Sequence, residues 1–418
     1  MKVAILGKTL HAMVMAGLLA ECGHDVFCGQ IFDIDHQSQY FQYDASVIQL
    51  LDAQHKKGFL HYCGHEDLPL DIDIYVLSFS PDEEQLAIQT LQQLKARPII
   101  LPRIMLNAST LGLNGTEKLR RFFPHVNWVY MPDIVQEGNA VQSVTQAKQL
   151  VVGCTGAEAQ SLIREFLRPL FPRQQHYLFM PVIDAEFTKF SISGMLATRI
   201  SYMNDLALVA EKLNIDIENV RQGMAADSRI GESYLYPGAG FGGGNFSHDI
   251  ETLAETVSTT GTKSQLLAQV WEINEQQKEL LFRKLWNYFQ GNLAGKTIAI
   301  WGASFKENTS KIEQSPIHAM LKALWAQGAI VQLHDPQALA EVHQAYGARS
   351  DLILMEDQYN AIKNADALCL LTAWKQYASP NFQRMLSDMH HPLILDGRNV
   401  YHPDYVKAQG FDYMGVGR

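Results

Sequence analysis

Positive charge is scarce in this 418-residue chain: 34 lysines and arginines stand against 44 aspartates and glutamates, a net charge of −10. With no basic cluster to offset that balance, nucleic acid and anionic membrane surfaces make poor partners. A small anionic substrate needs only a few local cations and is not excluded. Cysteine is also scarce. Cys22, Cys28, Cys63, Cys154 and Cys369 are odd in number and scattered, which argues against a disulfide framework and fits a reducing cytoplasm. None falls in a paired zinc spacing. His61-Tyr62-Cys63-Gly64-His65 has a metal-like composition, but no second ligand group follows it, so it reads as an ordinary surface turn and no metal is expected. No apolar run reaches the ~18 residues that span a bilayer. The apolar start of the chain is interrupted by Gly7 and Lys8 and lacks a small-x-small cleavage site. The expectation is a soluble, cytoplasmic protein. Apolar residues are plentiful: 47% hydrophobic against 19% charged allows a sizeable core and excludes disorder and coiled coil.

Short apolar runs alternate with helical patterns over residues 1–176. Strands are expected at 2–6, 25–28, 74–78, 98–101, 127–131 and 149–153, with helices at 10–22, 81–95 and 157–170 between them. That alternation predicts a parallel sheet covered on both faces. Residues 177–293 differ. Phe187, Phe190, Met195, Ile200, Met203, Leu206, Val209 and Leu213 recur at helical spacing without a Pro or a long polar break, predicting one helix over 185–213. A second helical stretch covers 263–289. Residues 294–418 return to strand–helix alternation, with strands at 296–301, 330–333, 367–372 and 392–395 and a helix over 315–327. The fold class is therefore α/β: two Rossmann-like parallel-sheet domains joined by a long central helix and a helical middle domain. The domains are 1–176 (α/β), 177–293 (helical, carrying a glycine-rich loop) and 294–418 (α/β).

Two places carry chemistry. At the first, the strand 2–6 runs into Gly7-Lys8-Thr9-Leu10-His11-Ala12 and then a helix, the setting of the G-x-G-x-x-G/A dinucleotide turn. Gly7 and Ala12 satisfy its first and third positions. Thr9 replaces the second glycine with a β-branched side chain where the pyrophosphate must come close. Gln30 stands where an acid would meet the ribose. The helix N-terminal amides still form an anion site. The second place is Asp227-Ser228-Arg229-Ile230-Gly231 followed by residues 237–249. Glycines at 238, 240, 242, 243 and 244 around Phe241 read as a loop that exposes backbone amides and curls around a substrate.

These motifs resemble the UDP-glucose/GDP-mannose dehydrogenase family, whose loop reads roughly G-x-G-F-G-G-S-C-F-P-K-D after D-x-R-I-G. The resemblance extends along the chain. Asn107-Ala108-Ser109-Thr110 resembles the family's K-S-T turn, and residues 132–138, from Pro132 to Gly138, resemble P-E-F-L-x-E-G. Residues 189–204 resemble the central K-x-x-x-N…N helix. Gly302-Ala303-Ser304-Phe305-Lys306 resembles the start of G-x-A-F-K-x-x-T-x-D-x-R-E-S-P, and Asp396-Gly397-Arg398-Asn399 the final D-G-R-N. The resemblance implies an enzyme in which a nicotinamide accepts hydride from C6 of a nucleotide sugar, a cysteine captures the aldehyde, a second hydride leaves, and water cleaves the thioester. A thiolate nucleophile, an oxyanion-stabilising lysine and water-handling carboxylates are the residue types this chemistry requires.

The departures fall on that chemistry. Asn245 occupies the cysteine position, His248 the loop lysine, Ser193 the first helix asparagine and Asp133 the first glutamate of the P-E motif. Glu313 and Lys311 stand where the family has Arg and Asp. The resemblance assigns catalytic positions to Thr110, Glu137, Lys189, Asn245 and Asp249, and substrate contacts to Arg229, Phe241, Gly242, Lys306 and Arg398. It assigns cofactor contacts to Gly7, Thr9, Ala12, Gln30, Ser80 and Thr110, and a homodimer in which Arg229 reaches a neighbouring subunit. The expected reading is a divergent nucleotide-sugar dehydrogenase-like oxidoreductase, unable to make a uronic acid and binding NAD or NADP weakly. It would carry out a two-electron alcohol/aldehyde step or proton chemistry on a sugar-like substrate. The alternative is a catalytically degenerate paralogue that holds a nucleotide ligand or a partner.

Overall fold

The computed structural model describes residues 1–29, 45–262 and 265–418. It divides into two units, Met1–Ile192 and Ser193–Arg418.

The first unit is built on a sheet of strands β1 (Lys2–Leu6), β2 (Asp25–Cys28), β3 (Leu60–Tyr62), β4 (Ile74–Leu77), β5 (Ile104–Asn107), β6 (Asn127–Tyr130), β7 (Leu150–Gly153) and β8 (Tyr177–Met180). Their spatial order is β3-β2-β1-β4-β5-β6-β7-β8. Pairing is parallel as far as β6, antiparallel at β6–β7 and parallel again at β7–β8. Alternation within each strand divides its side chains between two cores. Val3, Ile5, Ile74, Val76, Ile104 and Leu106 enter one; Ala4, Leu6, Tyr75, Leu77 and Met105 enter the other. A strand buried on both faces reads as a continuous apolar run, which is why β1 and β4 were legible.

The second unit carries β9 (Thr297–Trp301), β10 (Ile330–His334), β11 (Leu352–Leu354), β12 (Ala367–Leu370), β13 (Leu393–Asp396) and β14 (Asp412–Met414), all parallel, in the order β11-β10-β9-β12-β13-β14. The same division recurs: Ile298, Ile300, Cys369, Leu393 and Leu395 face one core, and Ala299, Trp301, Leu368, Leu370 and Ile394 the other. Both sheets thus have the doubly wound order, in which the chain reverses direction beside the first strand of each.

The long helix spans Val182–Lys212, 31 unbroken residues, and so begins in the first unit and ends in the second. It starts three residues before the expected position. None of the described helices is long and apolar enough to cross a membrane.

Four expectations are corrected. Residues 98–101 are not a strand: Pro98 and Pro102 remove backbone donors, Ile100 and Leu101 are exposed, and the strand is β5, which starts at Ile104. The stretch 263–289 is not one helix but two, Leu266–Lys278 and Leu280–Tyr288, meeting at Glu279. His61 and Tyr62 belong to β3 rather than to a turn, and His61 pairs with Asp25 of β2 at 2.7 Å. Finally, the glycine-rich loop ends earlier than expected, because Gly244 opens the helix Gly244–Thr259.

Candidate functional site

In the first unit the candidate residues gather at the carboxyl ends of the strands. Gly7 follows β1 with φ +119°, and a Cβ there would lie 1.8 Å from the carbonyl oxygen of Ser78, just past β4. Only glycine lets the two backbones approach this closely. Because β1 and β4 flank the reversal point of the sheet, this is where a doubly wound fold opens a ligand crevice.

Thr9 caps the helix Leu10–Glu21: its Oγ1 accepts the Ala12 N–H at 3.1 Å. A hydroxyl therefore already holds one of the amides that an incoming phosphate would use. Thr9 Oγ1 also lies 2.5 Å from Ser78 Oγ, which in turn lies 3.3 Å from His11 Nδ1. His11 is fully buried, and burial pushes its pKa below 6.5; Asp133 opposes that shift and Lys189 adds to it. Ala12 is buried against the sheet. Ser80 closes a capping box with Glu83, whose carboxylate accepts the Ser80 N–H at 2.9 Å. Thr110 is buried beyond β5 and donates its N–H to the Phe79 carbonyl. Asp133 and the half-buried Glu137 follow β6, and Asp133 Oδ1 accepts the Val135 N–H at 2.8 Å. Gln30 lies outside the described residues.

In the second unit the loop 237–243 is held by buried amides. Asn204 Oδ1 accepts the Gly238 N–H, and Gln277 Nε2 donates to the Gly238 carbonyl. Asn274 pairs with both backbone groups of Phe241, accepting at 2.8 Å and donating at 3.1 Å. A Cβ on Gly242 would lie 2.5 Å from the Gln314 carbonyl, so close approach of two backbones requires glycine here too. The Phe241 ring is buried and meets Phe246 and Trp271 edge-on.

Arg398, after β13, donates to three carbonyls, those of Leu371 at 2.6 Å, Gly240 at 3.3 Å and Phe305 at 3.5 Å. It thereby ties the loop to the turn after β9. Lys306 is half-buried with its Nζ 5.7 Å from the Phe305 ring centre. Arg229 is 87% exposed and forms a two-point pair with Asp227.

Asn245 is exposed at the second position of the helix Gly244–Thr259, whose N-cap, Gly243, offers no side-chain acceptor. The first-turn amides are therefore available to a negatively charged oxygen. One turn on, Asp249 is fully buried and accepts a hydrogen bond from Ser193 Oγ at 2.7 Å. His248 Nε2 lies 3.1 Å from Thr252 Oγ1. Among the described residues no group of three or more His, Cys, Asp or Glu is arranged to hold a metal.

Sequence reasoning missed Ser78, Asn274, Gln277 and the part played by His11, whereas Asn204 closes the central-helix motif at 189–204. The available signal was a polar side chain on the apolar face of a helix, at His11, Asn274 and Gln277. Ser78 had no such signal.

Residues 299–403 match the UDP binding domain of the UDP-glucose/GDP-mannose dehydrogenase family, and residues 183–276 its central domain. The chain is 38% identical to the UDP-glucose 6-dehydrogenase of Pseudomonas aeruginosa over 328 residues, covering 75% of this chain and 72% of that protein. It is 27% identical to the UDP-glucose 6-dehydrogenase of Rhizobium meliloti over the full length of both. Among solved structures, a UDP-glucose dehydrogenase from Pyrobaculum islandicum superposes with a TM-score of 0.85 at 21% identity, covering 100% of this chain and 97% of that one. The UDP-D-ManNAc dehydrogenase of Pyrococcus horikoshii superposes with a TM-score of 0.84 at 18% identity, covering 100% and 99%. At these identities the structures establish the shared fold.

Proposed function

Because this chain belongs to the UDP-glucose/GDP-mannose dehydrogenase family, we propose that it is a nucleotide-sugar oxidoreductase that stops after one two-electron step, at the level of alcohol and aldehyde. The observation that carries this reading is Asn245, an amide at the uncapped start of the helix Gly244–Thr259, where the family resemblance calls for a thiol. A carboxamide cannot form the thioester through which a second oxidation would pass. The amides of that first turn retain their value as donors to a developing oxyanion.

A nicotinamide dinucleotide would supply the hydride acceptor. The residues that would hold its pyrophosphate are Gly7, Thr9 and Ala12, and the placement fits, since they form a turn with a helix N-terminus at the reversal point of the sheet. Affinity is weak in this reading, because Thr9 already occupies the Ala12 amide. Thr110 and Ser80 line the same end of the sheet. Lys189 is assigned to balance oxyanion charge, Glu137 and Asp249 to hold water or take a proton, and Arg229, Phe241, Gly242, Lys306 and Arg398 to position the nucleotide sugar. We divide the chain into three domains, 1–176, 177–293 and 294–418.

The test is stoichiometry. With UDP-glucose and UDP-N-acetylhexosamines as candidate substrates, one reduced nicotinamide should form per sugar consumed, together with an aldehyde trapped by a hydrazine. Two per sugar would refute the reading. Calorimetric binding of a UDP-sugar with no turnover under any nicotinamide would favour the alternative, a nucleotide-binding paralogue without catalysis.

We further propose a homodimer. Met195, Tyr202 and Val209 recur every seven residues along the long helix and are exposed by 62%, 52% and 49%, with Ile192 beside them at 49%. That stripe is wide enough to pack against a second copy of itself. Light scattering at micromolar concentration should give twice the chain mass, and Met195→Asp with Tyr202→Asp should reduce it to one.

A further inference from the structure

We infer that His11, Ser78 and Thr9 form a hydroxyl relay whose direction is set by the charge on His11, so that the turn at Gly7 binds a pyrophosphate diester more tightly when His11 is protonated. The inference rests on the proposal that this turn takes a dinucleotide.

Ser78 Oγ is the shared member, within hydrogen-bond reach of both Thr9 Oγ1 and His11 Nδ1. Each hydroxyl has one proton to give. Thr9 Oγ1 already accepts the Ala12 N–H, so its own proton points either back to Ser78 or outward, to where a phosphate oxygen would sit.

In the proposed relay the neutral ring carries its proton on Nε2, so that Nδ1 accepts. Ser78 then donates to the imidazole and Thr9 donates to Ser78. The relay runs inward, and Thr9 turns only lone pairs toward an arriving anion. When the ring is protonated, Nδ1–H donates to Ser78, Ser78 donates to Thr9, and the Thr9 proton turns outward. The charged ring permits no other direction that satisfies all three groups. Protonation thus converts Thr9 from a repulsive acceptor into a donor, and places a positive charge beneath the turn where water does not screen it.

The charged groups facing His11 come from two other elements. Asp133, after β6, favours the imidazolium; Lys189, on the long helix, disfavours it. Burial outweighs both and keeps the ring neutral near pH 7. A bound diphosphate adds negative charge on the open side, so binding raises the affinity of His11 for a proton. By linkage the dissociation constant then falls as pH drops through the bound-state pKa of His11 toward its lower value in the free chain.

The probe is NAD, titrated calorimetrically into the full chain between about pH 5.5 and 7.5 in two buffers of different ionisation enthalpy. Neither its diester phosphates nor its rings titrate in that range. One linked proton changes the dissociation constant by at most about tenfold per pH unit, so an overall tightening of roughly three- to tenfold is expected at the acid end, with net proton uptake. His11→Gln should reduce the change to less than about twofold, and Ser78→Ala, which keeps the histidine but interrupts the relay, should reduce it to the smaller share that the charged ring exerts directly. A pH dependence undiminished by Ser78→Ala, or binding without proton uptake, overturns the relay and leaves the dinucleotide site standing. No binding at any pH overturns both. Should His11→Gln fail to fold, the imidazole nitrogen resonances of His11 decide: their titration midpoint must rise when NAD is added and must rise less in Ser78→Ala.

Discussion

Alanine at position 7 is expected to lower the melting temperature of the chain by about 10 °C. The backbone of Gly7 has φ +119°, and the new Cβ would stand 1.8 Å from a backbone oxygen, that of Ser78. An L-residue in this region of φ costs roughly 1–3 kcal/mol. The Ser78 carbonyl terminates a strand whose neighbours are fully buried, so relieving the overlap moves a packed element, roughly another 1–3 kcal/mol. At about 2–4 °C per kcal/mol for a unit of this size, the sum gives the stated shift. Gly23→Ala is the control. Its φ is +85°, but nothing lies within 4 Å of its Cβ, so it should show the backbone cost alone, about 1 kcal/mol. Differential scanning calorimetry of the two variants separates the terms, and equal shifts would mean that the contact with Ser78 is not what requires glycine. Gly7→Ala should also displace Ser78 from Thr9 and so reduce the pH dependence of NAD binding.

The same contact explains what was legible in the sequence. A glycine after a buried strand and before an apolar helix announces a tight turn, because few other features produce that order of residues. The partner across the turn, Ser78, comes from a strand whose sequence carries no mark of the encounter. His11 was missed for a related reason: a lone polar residue in an apolar helix reads as tolerated, and its value lies in a hydroxyl 67 residues away. Residues 98–101 were misread because β propensity is satisfied by any extended apolar run; Pro98 and Pro102 were the contrary signal, and they prevailed. No proline or glycine marks the break at Glu279.

The glycine-rich loop was legible as a loop but not in its purpose. Glycines at 240, 242 and 243 lie against Asn274 and Lys278, the Gln314 carbonyl and the Phe305 ring. Their first role is to let the loop pack within its own unit, and the amides of Gly238 and Phe241 are spent on Asn204 and Asn274. Donors also stand at the start of the helix Gly244–Thr259, whose N-cap offers no side-chain acceptor.

That helix start leads to the second large effect: incubation with UDP-glucose and NAD should yield no uronic acid, at least about a thousandfold less than a thiol-bearing relative would make under the same conditions. Oxidation of an aldehyde by hydride removal needs a tetrahedral adduct first, and a thiolate makes that adduct covalently. Asn245 offers an amide, whose nitrogen is too weak a nucleophile to do so. The second unit has one cysteine, Cys369, and it is unsuited to replace the missing thiol. It sits in the middle of β12, fully buried, and burial pushes its thiol far above the range in which a thiolate would form. His248 lies one turn from Asn245 with its Nε2 at hydrogen-bond distance from Thr252, in place of the lysine that the resemblance calls for. Mass spectrometry of the sugar product is the measurement. Efficient formation of a UDP-uronic acid would show that water or another group reaches the aldehyde without a covalent intermediate, and would overturn the two-electron reading. Asn245→Cys should place a thiol at an uncapped helix N-terminus, where the exposed amides lower its pKa and favour the thiolate, so alkylation by iodoacetamide should become fast at that site. Uronic acid should then form only slowly, because Thr9 continues to hold the Ala12 amide and so keeps the dinucleotide weakly bound at both hydride transfers. Adding Thr9→Gly to Asn245→Cys is the variant in which the second oxidation is first expected to run efficiently. Efficient activity in Asn245→Cys alone would locate the whole deficit at residue 245 and acquit the turn.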